Sequence, residues 1–257
     1  MRHLFNPLLA AVIVLAAVAL DAPAVDAQAK RSTPVDKPGR VVPNQCPQGI
    51  RPRREIRKIS AEERKVFLDA VRQLQYGPSP TRYDAYSLQH MNANTYAHNT
   101  PIFFPWHRRY LREFEIDLQN INPDIMVPYW DWTLDSQAPH TSDIFKNDYF
   151  GGNGKDNDGC VQDGPFASWQ PAYPRRDCLR RGFNNGKRIK SFYSPEAIQY
   201  MISSKPRYND FRLAIEIGPH GDVHNAIGGH MLYMHSPNDP LFFMHHAMVD
   251  KIWDQWQ

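Results

Sequence analysis

Residues 239–257 read Asp239-Pro240-Leu241-Phe242-Phe243-Met244-His245-His246-Ala247-Met248-Val249-Asp250-Lys251-Ile252-Trp253-Asp254-Gln255-Trp256-Gln257. Asp239 suits an N-cap, because its carboxylate can take the free N–H groups of a first helical turn. Pro240 suits the first helical position, where its missing N–H costs nothing. From Leu241 to Gln257 the segment is rich in aromatics and apolar on more than one side. That pattern predicts a helix buried on most faces, as in the middle of a helical core. It also carries two adjacent histidines, His245 and His246, into that core.

Working upstream, the other elements are also helical and heavily punctuated. Ser60-Ala61-Glu62-Glu63 forms a capping box, opening a helix whose apolar face is Phe67, Ala70, Val71 and Leu74. Gly77, Pro78 and Pro80 end it. A second helix is predicted over Arg82 to Ala93. Pro101 and Pro105 bracket a turn, and a third helix follows with Trp106, Tyr110, Phe114 and Leu118 in register. Two more are predicted around Pro195 to Ser203 and Asp210 to Glu216. Between Thr133 and Tyr193 the periodicity dissolves into loop chemistry such as Gly151-Gly152-Asn153-Gly154. Asp156 follows Gly154-Lys155 where a phosphate loop needs Ser or Thr, which excludes that reading. The expected fold is mainly α, with long irregular loops.

The 257 residues suit one sizeable core, and 42% apolar with 22% charged content is ordinary for a globular domain. Thirty basic residues nearly balance 27 acidic ones, and no basic stripe interleaves with aromatics, so a nucleic-acid partner is not expected. Arg2 and His3 precede an apolar run from Leu8 to Leu20, too short to span a bilayer. Residues 1–27 therefore read as a signal peptide, with Ala27-Gln28-Ala29 as one cleavage pattern. Residues 28–52 read as an extended Pro-rich arm and 53–257 as the folded domain. The expected location is extracellular, with no membrane partner after cleavage. Secretion permits disulfides. Among Cys46, Cys160 and Cys178, the last two bracket a loop-like segment and make the natural pair, with other pairings left open.

Eleven histidines are many for this length. His3, His140, His230 and His235 look casual. His90, His98 and His107 form one cluster, on a helix, a turn and the next helix. His220 and His224 are four apart and share a helix face, and His246 joins them from the last helix. Helical bundles build metal sites in this way, from inward side chains of several helices. No carboxylate sits at ligand spacing, and no His-Glu-x-x-His pattern occurs. Imidazole sets without thiolate leave zinc or copper. Two such sites in one core favour a pair of coppers. A single buried histidine is usually a hydrogen-bonded core residue, but six at these spacings are not explained that way.

The segment His98-Asn99-Thr100-Pro101-Ile102-Phe103-Phe104-Pro105-Trp106-His107-Arg108-Arg109-Tyr110-Leu111-Arg112-Glu113-Phe114-Glu115 resembles the first copper signature of the tyrosinase and catechol-oxidase family. Asp239 to Asp250 resembles the second. The resemblance runs from about Arg53 to Gln257. It implies a four-helix bundle around a binuclear copper site, two copper ions as cofactor and O2 as co-substrate. It puts one copper on His90, His98 and His107 and the other on His220, His224 and His246. His245 and Phe242 would line the pocket. It also implies a small phenolic or catecholic substrate, whose quinone product suits melanin formation, cross-linking or defence.

Further roles follow from the same resemblance. Glu216 matches the acid that holds a water and accepts the phenol proton through it. The residue after the first histidine of the second site is often Asn in members with strong phenol hydroxylation. Here it is Gly221, while Asn225 follows His224, so diphenol oxidation is expected to exceed monophenol hydroxylation. Tyr233 would be the bulky residue above the copper. Asp250 is read as a partner for a ligand imidazole, and Arg108 with Glu115 as an ion pair bracing the third helix. The family's thioether cysteine has no counterpart, since none lies between Cys46 and Cys160. The other readings are a haemocyanin-like oxygen-binding module and a structural matrix protein. Six intact ligand positions speak against the matrix protein. A short, secreted, single-domain chain speaks against the carrier, whose kind form large assemblies.

Overall fold

The computed structural model describes residues 49–257. The expected signal peptide, Cys46 and most of the expected extended arm lie outside the described residues. Among the described residues there are eight α-helices. They are α1 (Ala61–Gln73), α2 (Arg82–Asn92), α3 (Asn94–Ala97), α4 (Phe103–Ile121), α5 (Pro195–Ser204), α6 (Tyr208–Ile215), α7 (Gly221–Ile227) and α8 (Leu241–Trp256). Among the described residues there is no strand, only isolated bridges such as Glu55 to Tyr129. The fold is mainly α, with a long irregular stretch between α4 and α5.

The capping chemistry works as the sequence implies. Ser60 accepts the Glu63 N–H, and the Glu63 carboxylate accepts the Ser60 N–H at 2.9 Å. Thr81 and Asp84 repeat the reciprocal arrangement at the start of α2. The second helix stops at Asn92, and a short α3 intervenes before His98.

Aromatic side chains lock the bundle. Phe114 of α4 stacks on Phe243 of α8 with ring centres 3.7 Å apart. Tyr83 and Tyr86 of α2 set their edges against both rings. Phe104 of α4 stacks on Trp253 of α8 and on Phe211 of α6. Such pairs contribute about 0.5–1.5 kcal/mol each beyond area burial. They fix α2, α4, α6 and α8 relative to one another; three of these carry histidines of the core, and α6 leads into the turn that carries His220.

The irregular stretch is anchored by one side chain. Arg181 is buried with its partner Asp239, which it grips through Nε at 2.7 Å and Nη2 at 3.0 Å. Its Nη1 donates to the carbonyls of Phe150, Gly151 and Gly152. The Asp239 carboxylate also accepts the Leu241 N–H at 3.0 Å, so it caps α8 while neutralising Arg181. Cys160 and Cys178 form the expected disulfide in this region, with Cα atoms 5.7 Å apart. After α7 the chain turns at Gly228, with φ of 68°. A Cβ there would lie 2.1 Å from the Gly182 carbonyl oxygen, so only glycine permits this approach.

Arg108 and Glu115 do not pair. They lie two helical turns apart, roughly 10 Å along the axis, and each finds a nearer partner. Arg108 pairs with Asp250 of α8. Glu115 takes Arg53 at 3.0 Å, Arg112 at 2.9 Å and the Val127 N–H at 3.1 Å.

Replacing Arg181 with Ala leaves the Asp239 charge buried and unpaired. The expected loss is about 3–5 kcal/mol of unfolding free energy. Urea denaturation of the metal-free variant checks it, and a loss below about 1 kcal/mol would contradict the anchoring role.

Candidate metal centre

Seven histidines converge on the bundle core in two sets, of three and of four. Potential ligand atoms of His90, His98 and His107 lie within 4.8 Å of one another, as do those of His220, His224, His245 and His246. The ring of His107 stacks on that of His246 with centres 4.4 Å apart, so the two sets adjoin.

The main chain fixes how the rings point. The Nδ1 of His107 lies 2.8 Å from the Phe103 carbonyl, four residues back on α4. The Nδ1 of His220 lies 2.8 Å from the Glu216 carbonyl, again four residues back. His90 Nδ1 is 2.7 Å from the Met234 carbonyl, and His224 Nδ1 is 2.7 Å from that of Met231. A carbonyl only accepts, so Nδ1 carries the proton in all four rings and Nε2 keeps its lone pair. The Nε2 atoms of His90, His107 and His220 are buried with no hydrogen-bond partner among the described residues. The Nε2 atoms of His224 and His246 lie 3.3 Å apart. The unprotonated His224 Nε2 can accept the His246 Nε2–H or, with His246 in its other tautomer, share a cation with it.

His220 reaches its place through a break in the helix. Residues Glu216–His220 form one wide turn between α6 and α7, where Gly218 leaves helical geometry and Pro219 cannot donate. His98 comes from the connection after α3 and is the one ligand candidate off a helix or helical turn. That connection is held by Asn99, at φ of 57°, whose N–H donates to Glu216 Oε1 at 2.5 Å. The other Glu216 oxygen pairs with buried Arg212.

The neighbours divide into those the resemblance anticipated and those it did not. Phe242 is fully buried, stacks on His246 at 4.1 Å and packs against His90 at 5.0 Å. It is a floor under both sets rather than a pocket wall. His245 is also fully buried, behind His220 and His224 and facing Trp132, so it does not line an open pocket. His246, stacked on the first set, is the better third ligand. Asp250 pairs with Arg53 and Arg108, and makes no contact with a ligand imidazole, because its side chain leaves α8 towards α4 and the Arg53 segment. Tyr233 is 57% exposed and stacks on His235 at 5.2 Å, not on any of the six rings. It does sit on the strap whose carbonyls hold His224 and His90. Asn225 is exposed on α7. Phe103, Met231 and Met234 went unanticipated. Only Phe103 leaves a sequence signal, its place four residues before a helical histidine.

Burial pushes all six imidazoles below their ordinary range, His90 to about 3 and His224 to about 4. They are therefore neutral at pH 7 with lone pairs available. Neutral imidazole, without thiolate or carboxylate, suits copper or zinc. Orphaned buried nitrogens aimed at one point are what a metal would satisfy. The residues fit a binuclear copper pair.

A helical bundle holding two adjoining three-imidazole sets defines a binuclear metal protein. The chain belongs to the tyrosinase family: residues 80–257 match the common central domain of tyrosinase. It is 37% identical over 228 residues to the tyrosinase ustQ of Aspergillus flavus, covering 80% of this chain and 63% of that protein. The chain thus spans less than two thirds of that relative. It is 34% identical over 229 residues to a tyrosinase of Streptomyces antibioticus, covering 80% of this chain and 82% of that one. Among solved structures, a G292N mutant of polyphenol oxidase from Thermothelomyces thermophila superposes with a TM-score of 0.68 at 26% identity. That match covers 79% of this chain and 69% of the other.

The depressed histidines give a pH dependence. In the unfolded chain they titrate near 6.5, whereas the folded chain leaves them neutral well below that. Below that pH the unfolded state binds more protons, so stability falls as pH falls. The metal-free chain is expected to hold a constant Tm from pH 8 to 7 and to lose stability steadily from about pH 6.5 towards 4. A flat Tm across that window would contradict the burial of neutral imidazoles.

Proposed function

We propose that this chain is a secreted binuclear copper oxidase that uses O2 to convert o-diphenols to o-quinones. Ortho-hydroxylation of monophenols is the weaker activity. The observation that carries this reading is the pair of adjoining imidazole sets with partnerless buried Nε2 atoms. His90, His98 and His107 would hold one copper, and His220, His224 and His246 the other. When bound, the copper pair supplies O2 binding and the redox capacity for two-electron oxidation. Each diphenol gives up two electrons and two protons. Two diphenols therefore match one O2, which leaves as two waters.

The chain's own residues set the conditions. Carbonyls of Phe103, Glu216, Met231 and Met234 hold four rings in the tautomer that presents Nε2. Phe242 fills the floor between the sets and excludes water from beneath. Glu216 keeps a lone pair on each oxygen beyond those given to Asn99 and Arg212. It can hold a water at the edge of the site and take a phenol proton through it. Burial raises its affinity for that proton. Gly221 offers no side chain to orient the same water, which supports the weaker hydroxylation. The Cys160–Cys178 disulfide supports an oxidising, extracellular setting.

Oxygen uptake by the copper-loaded chain tests the reading, with 4-tert-butylcatechol compared against tyramine. Prompt uptake with the catechol and slow uptake with tyramine is expected. A chain carrying two coppers that consumed no oxygen with any diphenol would overturn it. A Cβ at Gly221 would meet only the Glu216 carbonyl oxygen, at an ordinary 3.5 Å, so the backbone there accepts a side chain. Gly221→Asn is expected to raise the tyramine-to-catechol rate ratio several-fold, and an unchanged ratio removes Gly221 from the explanation.

A further inference from the structure

We propose that His230 and His235 form a separate mononuclear copper site, taking Cu(I), at the edge of the binuclear centre. Sequence spacing alone sets these two histidines aside. The fold brings their rings to 5.2 Å, at an interplanar angle of 76°. That geometry can be compared with the ligand pairs inside the two three-imidazole sets. His90–His98, His98–His107 and His90–His107 lie at 4.8, 5.1 and 5.7 Å, with angles of 82°, 73° and 64°. His220–His224, His220–His246 and His224–His246 lie at 4.7, 5.0 and 5.5 Å, with angles of 64°, 71° and 64°. The His230–His235 pair falls within the distances and angles of the six pairs taken together, although its angle exceeds those of the second set. Its rings are close enough for two imidazoles to share one ion.

The surroundings favour such an ion. His230 is buried, and its Nδ1 has no hydrogen-bond partner among the described residues. A buried nitrogen in that state requires an explanation, and a metal supplies one. His235 is half-buried, so the pair opens to solvent on one side. Asp177 and Asp239 favour positive charge at His230. The nearby Arg180 opposes it but is itself neutralised by Asp177, at 2.9 Å. Burial lowers both histidines, His230 to about 4, so both are neutral ligands at pH 7. Two neutral imidazoles suit an ion of low charge that accepts two-fold coordination. The segment reads His230-Met231-Leu232-Tyr233-Met234-His235, with two thioethers between the imidazoles. Neutral imidazole is a ligand for copper, and the absence of a carboxylate from the pair disfavours harder divalent ions.

The location ties this pair to the main centre. The strap between the two histidines contributes the Met231 carbonyl to His224 and the Met234 carbonyl to His90. One six-residue segment thus holds a ligand of each copper and, at its two ends, the proposed third site.

The test is an anaerobic titration of the metal-free chain with Cu(I), using bicinchoninate as competing chelator. The wild type is expected to bind one more copper than His235→Ala. His235→Met, which restores a soft ligand, is expected to regain it. The comparison isolates the pair from the main centre. Three against two supports both sites, and one against none supports the pair while the binuclear reading fails. Equal stoichiometry in the wild type and the variant overturns the proposal. If Ala disturbs folding, His235→Asn keeps a polar side chain without a copper ligand, and the same comparison decides.

Discussion

Everything about the centre depends on where four imidazole N–H groups go. His107 and His220 give theirs to carbonyls one turn back in their own helical segments. His90 and His224 give theirs to the strap at Met234 and Met231. Once Nδ1 is committed to a carbonyl, the tautomer is fixed and the lone pair of Nε2 faces the core. The protein accepts partnerless buried nitrogens in exchange, a burden of about 1–3 kcal/mol for each group left unsatisfied. Buried, neutral and aimed rings are a preorganised ligand set whose stability and metal affinity are two sides of one arrangement.

The strap is placed by the irregular stretch, which is why that stretch cannot be treated as a mere connector. Residues 180–184 run along residues 226–230. The Gly182 N–H donates to Ile227, the Asn184 N–H to Ala226, and the His230 N–H to Arg180. Gly228 and Gly229 permit this close approach, since a Cβ at either would meet backbone at 2.1 Å. In the same few residues, Arg181 reaches through to Asp239 and sets the start of α8. One short segment therefore positions both the strap that orients His90 and His224 and the helix that delivers His246.

Local rules made much of this legible from the sequence. The Ser60 cap, the apolar periodicity of α1 and α4, the α8 start at Asp239 and the histidine spacing are all short-range features. The pairing of Cys160 with Cys178 was legible because few alternatives existed. What stayed hidden depends on contacts between distant segments. Asp250 shares a helix face with His246, which suggested a ligand partner. Arg53, nearly two hundred positions away, claims it instead. Tyr233 and His245 were placed by analogy of position, whereas the turn at Gly228–Gly229 and the buried side of α8 decide where they point. The His230–His235 pair is invisible to spacing, because five residues apart on an irregular strap implies no particular distance.

The two metal sets are not independent halves, because single residues serve both. Glu216 holds His220 through its main-chain carbonyl, and its carboxylate holds the Asn99 N–H beside His98. Phe103 gives its carbonyl to His107 while its ring packs on His220 at 4.9 Å. Phe242 stacks on His246 and abuts His90. A displacement at any of the three moves a ligand of each set together. Shared supports of this kind hold a fixed separation between two ions more firmly than two self-contained sites could. Each set by itself would be free to shift with its own helices, whereas a site acting as a unit needs its groups held within about 0.5 Å of one geometry. His98 lies outside the helices, so its side of the centre relies most on this sharing. The Asn99 N–H beside it goes to Glu216, whose own carbonyl holds His220 of the opposite set.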